Sequence, residues 1–122
     1  MFKSYLFLLA TFVYSFHVAV SAPVNDSLDA AFSIFEPGYV VGDNTDASEE
    51  VDEPVHGEVG VGKSLWWSWQ GAPGEHTVTL RPYREGVAVV FVVYQVEPNG
   101  DLIEQGSAVC DSMEPRSLRF EA

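Results

Sequence analysis

Residues 64–70 read Ser64-Leu65-Trp66-Trp67-Ser68-Trp69-Gln70. Successive side chains of a β-strand point to opposite faces, so Leu65, Trp67 and Trp69 share one face and Trp66 lies on the other. We expect the first three to be structural residues of a sheet core. Trp66 is either covered by the acidic loop that precedes it or exposed as a platform on which a sugar ring or a peptide stacks.

Further strand patterns follow towards the C-terminus. Residues 76–81 alternate with Val78 and Leu80 inward, and residues 87–96 are apolar on both faces, as in a central strand covered from both sides. An Asn-Gly turn at 98–101 precedes a return strand through 102–103 and 108–110, and another strand starts at 117–120. Short strands separated by turns predict an all-β, antiparallel β-sandwich.

The region before residue 64 carries weaker signals. Apolar side chains at helical spacing within residues 25–35 predict a short helix or an irregular turn, and residues 39–41 predict a short strand. Residues 42–62 form a long acidic loop, and a loop of this length is usually functional, mobile or held by an ion.

The acidic loop is the best candidate for a metal site. Its carboxylates are hard oxygen ligands, which Ca²⁺ prefers in sets of about six to eight. We take Asp43, Asp46, Glu49 and Glu53 as candidate calcium ligands. The spacing of an EF-hand is not found, so the alternative is a solvated acidic loop that keeps the protein in solution.

The first 22 residues have the pattern of a secretory signal peptide. Lys3 supplies a positive charge, residues 5–20 are nearly all apolar, and small residues permit cleavage after Ser21 or Ala22. A membrane anchor is the alternative, but the run is shorter than the ~20 apolar residues that a spanning helix needs. We therefore predict a leader at 1–22 and a single domain at 23–122, secreted or at the cell surface.

Composition narrows the function further. The 122 residues carry a net charge of −12, which disfavours nucleic acids and anionic membranes because phosphates are bound by Lys and Arg. The lone cysteine excludes a disulfide scaffold. Cys110 is either a small buried residue or the partner of a cysteine in another chain or in a segment absent from this sequence.

Several segments together carry a family resemblance: Asn25-Asp26, Ala30-Ala31, Ile34, Gly42 to Glu49, Glu53-Pro54-Val55-His56, Lys63 to Trp69 and Ala72-Pro73. Over residues 25–122 this series resembles secreted bacterial β-sandwich modules similar to the bacterial pre-peptidase C-terminal domain group. The resemblance implies a jelly-roll-like sandwich without catalytic activity that serves as an accessory, targeting or binding unit. It also implies a structural role for His56.

The resemblance further implies that closing strands are missing at the C-terminus, because such modules continue past the position of Ala122. A sandwich without its last strands exposes unpaired backbone groups at an edge. Residues 87–94 are uncharged and free of proline, which favours aggregation when they are exposed. We therefore expect a strand-pairing partner or further modules.

The function expected from the sequence is that of a non-catalytic secreted accessory or interaction module with a protein or carbohydrate partner and no membrane insertion after leader removal. The alternative is a calcium-stabilised carbohydrate- or protein-binding domain. A small secreted hydrolase that uses two carboxylates is the third candidate. The sequence contains no Gly-x-Ser-x-Gly, His-Glu-x-x-His or phosphate-loop motif, which disfavours the third.

Overall fold

The computed structural model describes residues 3–11, 21–35, 38–54 and 62–122. In these ranges the chain is all-β, as predicted, with one short 3-10 turn. The 3-10 turn spans Leu28–Ala30. The strands are β1 (Lys3–Thr11), β2 (Phe32–Ser33), β3 (Ser64–Gly71), β4 (Glu75–Leu80), β5 (Val89–Val96), β6 (Leu102–Cys110) and β7 (Arg116–Glu121).

Two sheets form the sandwich. The larger sheet has the strand order β2-β3-β1-β5-β6, and the smaller sheet pairs β4 with β7. All pairs are antiparallel except β2 and β3, which run parallel, so the larger sheet is mixed rather than purely antiparallel.

The central strand of the larger sheet comes from the predicted leader. β1 lies antiparallel between β3 and β5, with Tyr5 opposite Trp69 on one side and Leu8 opposite Val92 on the other. A leader and a central strand both require a run that is apolar on both faces, so one sequence pattern satisfies both requirements.

The two faces of the larger sheet bury separate clusters. The face towards the smaller sheet holds Leu65, Trp67 and Trp69, as the alternation predicts, together with Phe91. The opposite face holds a second cluster, which residues of the 21–35 segment cover. Its members are Leu6, Leu8, Trp66, Val90, Val92 and Tyr94, with Leu28 and Ala31 packed against them.

Two local expectations are corrected or refined. Residues 39–41 form no strand, and Tyr39 is 92% exposed; β-branched residues favour a strand only where a neighbouring strand can pair with them. The two predicted halves of the return strand are one continuous β6, with a bulge opposite Val93 and Tyr94. Among the described residues, no helix combines the length and the apolar character that crossing a membrane demands.

Candidate functional site

A cleft of about 1050 Å³ opens between β4 and the segment 38–45. Its floor is aromatic and belongs to the larger sheet, where Phe7, Trp67 and Trp69 lie side by side on β1 and β3. Its volume lies at the upper end of the range typical of ligand-binding clefts, and its apolar lining is also typical of them. We refer to this feature as the intersheet cleft.

The mouth of the intersheet cleft carries exposed apolar side chains. Phe35 is 85% exposed, Tyr39 92%, Val41 76% and Tyr83 61%, and all four line the cleft. Scattered apolar residues are normal on a surface, but a group around one concave site marks an interaction surface.

Charged groups of both signs line the same cleft. Asp43 and Glu75 are acidic, whereas Arg81 and Arg84 are two of only six basic residues in the chain. Asp43 Oδ1 accepts hydrogen bonds from the Thr45 hydroxyl at 2.5 Å and the Thr45 backbone N–H at 3.0 Å. These bonds hold the pKa of Asp43 below its usual value, and the bond from the hydroxyl contributes more than the bond from the backbone.

The β4 strand presents an open backbone edge to the cleft, since among the described residues it pairs only with β7. Gly74 and Ala122 exchange both of their backbone hydrogen bonds, at 3.3 and 2.8 Å. Hydrogen-bonded pairs alternate along an antiparallel ladder, so the bonds to β7 recur at every second residue. The N–H and C=O groups of Glu75, Thr77 and Thr79 therefore point away from β7, towards the open edge.

The candidate calcium ligands do not converge. The Asp43 carboxylate is bonded to Thr45, Glu53 Oε1 accepts a hydrogen bond from the Ser64 hydroxyl, and Asp46 and Glu49 are exposed. Within the described ranges no three His, Cys, Asp or Glu side chains are grouped so that they could hold a metal ion. The structure therefore does not bring the four candidate ligands together in the part of the chain that it describes.

Neighbouring carboxylates instead connect the acidic loop to the segment that precedes it. Asp26 accepts hydrogen bonds from the backbone N–H and the hydroxyl of Ser48, both at 2.6 Å. Glu50 Oε2 accepts one from the backbone N–H of Leu28 at 3.0 Å. These contacts pin residues 26–28 against the loop, and the sequence pattern did not reveal them because the partners lie 22 residues apart.

Trp66, the candidate stacking residue, is fully buried. Its backbone N–H donates to the Asn25 carbonyl at 2.9 Å, and the Asn25 side-chain amide donates to the Trp66 carbonyl at 3.0 Å. The 25–31 segment thus covers the indole, together with Tyr94 at a ring distance of 6.3 Å. A ligand could stack on Trp66 only after this segment had moved.

Two histidines and the cysteine have local roles or lie outside the described residues. His56 falls outside the described residues. His76 Nε2 donates to the Ala72 carbonyl at 2.7 Å, and its ring stacks on Phe120 at 5.8 Å, so His76 closes the turn before β4. Cys110 is unpaired and buried, and burial raises the pKa of its thiol.

Comparison of the chain with known proteins finds no match among family models, curated proteins or solved structures. The resemblance to the pre-peptidase C-terminal domain group therefore stays an expectation. The intersheet cleft was not foreseen from the sequence, because it is formed by residues 38–45 and β4, which are at least 30 residues apart. The aromatic and β-branched residues at 39–41, which the sequence analysis interpreted as a strand, line this cleft.

Proposed function

We propose that this chain is an exported, non-catalytic interaction module that binds an extended protein segment in the intersheet cleft. The observation that carries the proposal is the open edge of β4 beside Trp67 and Trp69 of β3, the part of the aromatic floor that leader removal leaves in the chain. An incoming strand would pair with the outward backbone groups of Glu75, Thr77 and Thr79. Strand addition of this kind gives affinity through the backbone and specificity through alternate side chains.

The side chains around the cleft support a peptide rather than a sugar as the ligand. Every second residue of a bound strand would face Trp67 and Trp69 or the apolar groups of Val78 and Leu80. A sugar ring needs an exposed aromatic face with polar groups beside it. The two tryptophans of the floor are at most 5% exposed, so they offer an apolar surface to a strand rather than an open stacking platform.

The charges that line the cleft also indicate which peptides bind best. Arg81 and Arg84 place positive charge at one part of the cleft in a chain that is otherwise strongly acidic. An acidic side chain next to an apolar strand would be attracted to this part and repelled by the rest of the surface. The preferred ligand is therefore an extended segment with alternating apolar residues and a carboxylate near one end.

Export is supported by the leader pattern of residues 1–22, and the accessory role by the family resemblance. The large negative charge suits a protein that has to remain in solution outside the cell. The calcium-stabilised alternative has less support, because the carboxylates of Asp26, Glu50 and Glu53 act as local hydrogen-bond acceptors.

The experiment uses a library of random decamer peptides selected on the wild-type protein, with an oligosaccharide array as the competing probe. Binding of selected peptides is then measured on Thr77→Pro, which removes one outward N–H without touching the bonds to β7. Thr77→Val, which keeps that N–H, is the matched control. The Tyr39→Ala variant tests the apolar mouth, and Val51→Ala, at a fully exposed residue that does not line the cleft, is its control.

We expect the selected peptides to have alternating apolar residues. Their affinity for Thr77→Pro should be at least about tenfold lower than for the wild type, because the variant loses one backbone hydrogen bond to the peptide and weakens the adjacent ones. Thr77→Val and Val51→Ala should bind like the wild type. Peptides that bind Thr77→Pro and Tyr39→Ala with unchanged affinity would overturn the proposal. Selective binding of oligosaccharides would replace it with the carbohydrate alternative.

A further inference from the structure

The space that β1 occupies lies between β3 and β5, and both of these strands belong to the domain whether or not residues 1–22 are removed. β3 and β5 both run antiparallel to β1 and therefore parallel to each other, two inter-strand spacings or roughly 10 Å apart. We call this space the β1 slot. It is bordered on each side by a complete row of backbone hydrogen-bonding groups.

The side chains around the β1 slot define what fits into it. Neither β3 nor β5 contains a charged residue. Of the β1 side chains, Tyr5 and Leu8 are fully buried, and Leu6 and Phe7 are no more than 7% exposed. An occupant must therefore be uncharged and apolar at the positions that Tyr5 to Leu8 fill, because a buried charge without a partner is strongly unfavourable.

The two faces of the slot select different side chains. Towards the smaller sheet, Tyr5 stacks on Trp69 at a ring distance of 5.1 Å, and Phe7 lies 5.7 Å from Trp67. Gly71 leaves room for the Tyr5 ring, since a Cβ at this position would lie 2.8 Å from Tyr5 Cε2. On the other face the cluster around Leu6 and Leu8 is mainly aliphatic.

We propose that β1 is a removable strand, and that the β1 slot of the exported protein binds an apolar strand of another protein. This inference rests on the export proposed above, since cleavage after Ser21 or Ala22 removes the whole of β1. The incoming strand would be about eight residues long, uncharged at its buried positions, antiparallel to both β3 and β5, and aromatic on the face towards the smaller sheet. This slot is distinct from the open edge of β4, because an occupant is paired on both sides and buried on both faces.

The need for an occupant follows from what removal would expose. Without a strand in the slot, the edges of β3 and β5 are unpaired, and Trp66, Trp69, Phe91 and Val92 lose their packing against β1. Unpaired apolar edges of this length pair readily with other chains. A second strand that repeats the contacts of β1 restores both the backbone pairing and the core.

The test uses the protein as a cell exports it from the full-length gene, with residues 1–22 included. Intact and native mass spectrometry first report whether residues 1–21 are absent and whether a second chain is bound. A fluorescent peptide with the sequence of residues 3–11 is then the probe for the slot. The same peptide with Leu8→Lys is the matched control, because it places a charge at a fully buried position.

We expect the exported chain to lack residues 1–21, to take up the peptide and to bind the Leu8→Lys peptide at least about tenfold more weakly. Uptake should be unchanged in Thr77→Pro, which separates the β1 slot from the intersheet cleft. The proposal would be overturned if the exported chain kept residues 3–11 or kept the excised leader bound. It would also be overturned by a homodimer whose slot is already filled, or by a processed chain that takes up no peptide. Any of these results leaves peptide binding at β4 to be judged by the Thr77→Pro experiment alone.

Discussion

Substitution of Gly71 by alanine tests directly whether β1 lies in the sheet. Gly71 is in β3, and a Cβ added there would lie 2.8 Å from Tyr5 Cε2 and 3.0 Å from Tyr5 Cδ2. Normal contacts between carbon atoms are ~3.5–4.0 Å. Because Tyr5 is fully buried and stacked on Trp69, its ring cannot move aside without disturbing the core.

Two opposing effects set the magnitude. Overpacking of a tight core costs about 1–3 kcal/mol, whereas Gly→Ala at an acceptable backbone conformation stabilises by about 0.4–1 kcal/mol through the unfolded chain. We therefore expect Gly71→Ala to lower the free energy of unfolding of the full-length chain by about 1–2 kcal/mol. For a domain of this size that corresponds to a Tm lower by roughly 4–8 °C.

The assay is urea and thermal unfolding of the full-length protein, produced without export so that residues 1–22 are kept. Gly106→Ala is the matched control, since its Cβ would lie 3.6 Å from the nearest Leu118 atom, an ordinary contact. In a Tyr5→Val background the ring is absent, so Gly71→Ala should become neutral or slightly stabilising. The double-mutant cycle should therefore give a coupling energy of about 1–3 kcal/mol.

The reasoning is refuted if Gly71→Ala is as harmless as Gly106→Ala in the full-length protein. The Tyr5 ring would then not be packed against Gly71, and β1 would not occupy the slot. A destabilisation that persists undiminished in the Tyr5→Val background would assign the effect to Trp69, whose Nε1 would lie 3.3 Å from the new Cβ.

Three further predictions concern titratable groups. Cys110 is buried, so a thiol reagent should react with it only after unfolding, and rapid reaction with the native chain would contradict its burial. Burial, and to a smaller extent the Glu104 carboxylate, raises the pKa of Tyr94 above that of a free tyrosine. The neutral phenol therefore stabilises the fold fully below about pH 10, and this stabilisation is lost as the pH rises above that value. Tyr94→Phe should reduce the loss of stability at alkaline pH in urea unfolding. The lowered pKa of Asp43 stabilises the fold above about pH 4 and no longer does so once acid protonates it. Asp43→Asn should therefore cost a few tenths of a kcal/mol at pH 7 and less as acid protonates the carboxylate, and an equal cost at pH 7 and pH 2 would exclude the carboxylate as the cause.

The strand pattern of residues 64–96 was predictable because burial imposes a period of two on a chain that faces two environments. The assignment of Leu65, Trp67 and Trp69 to one face and Trp66 to the other is confirmed by their separate clusters. The interior position of β5 in its sheet was also evident, since residues that are apolar on both faces need cover on both. In both cases the order of apolar and polar residues within one strand determined which faces of that strand are buried.

The site was less accessible to sequence reasoning because it depends on contacts between distant segments. Carboxylates at 43–53 suggest a metal by composition alone, but their hydrogen-bond partners decide their role. Glu50 is bonded to the backbone of residue 28, and Asp26 to Ser48. Likewise, no periodicity reports that residues 38–45 face β4 across a cleft.

Residues 3–11 show why composition alone cannot separate a leader from a central strand. Export requires an uncharged apolar run, and a strand paired on both sides and buried on both faces requires the same. The proposal for the β1 slot makes the same demand in both cases, because β3 and β5 are uncharged and would need an apolar strand between them whether or not residues 3–11 remain. Gly71→Ala in the exported protein should therefore report on the occupant: an aromatic side chain at the position of Tyr5 makes the substitution destabilising, whereas a small side chain leaves it neutral. If the exported protein unfolds at the same urea concentration with either residue and shows no strand in the slot, β3 and β5 have closed directly on each other, and the requirement for an occupant is wrong.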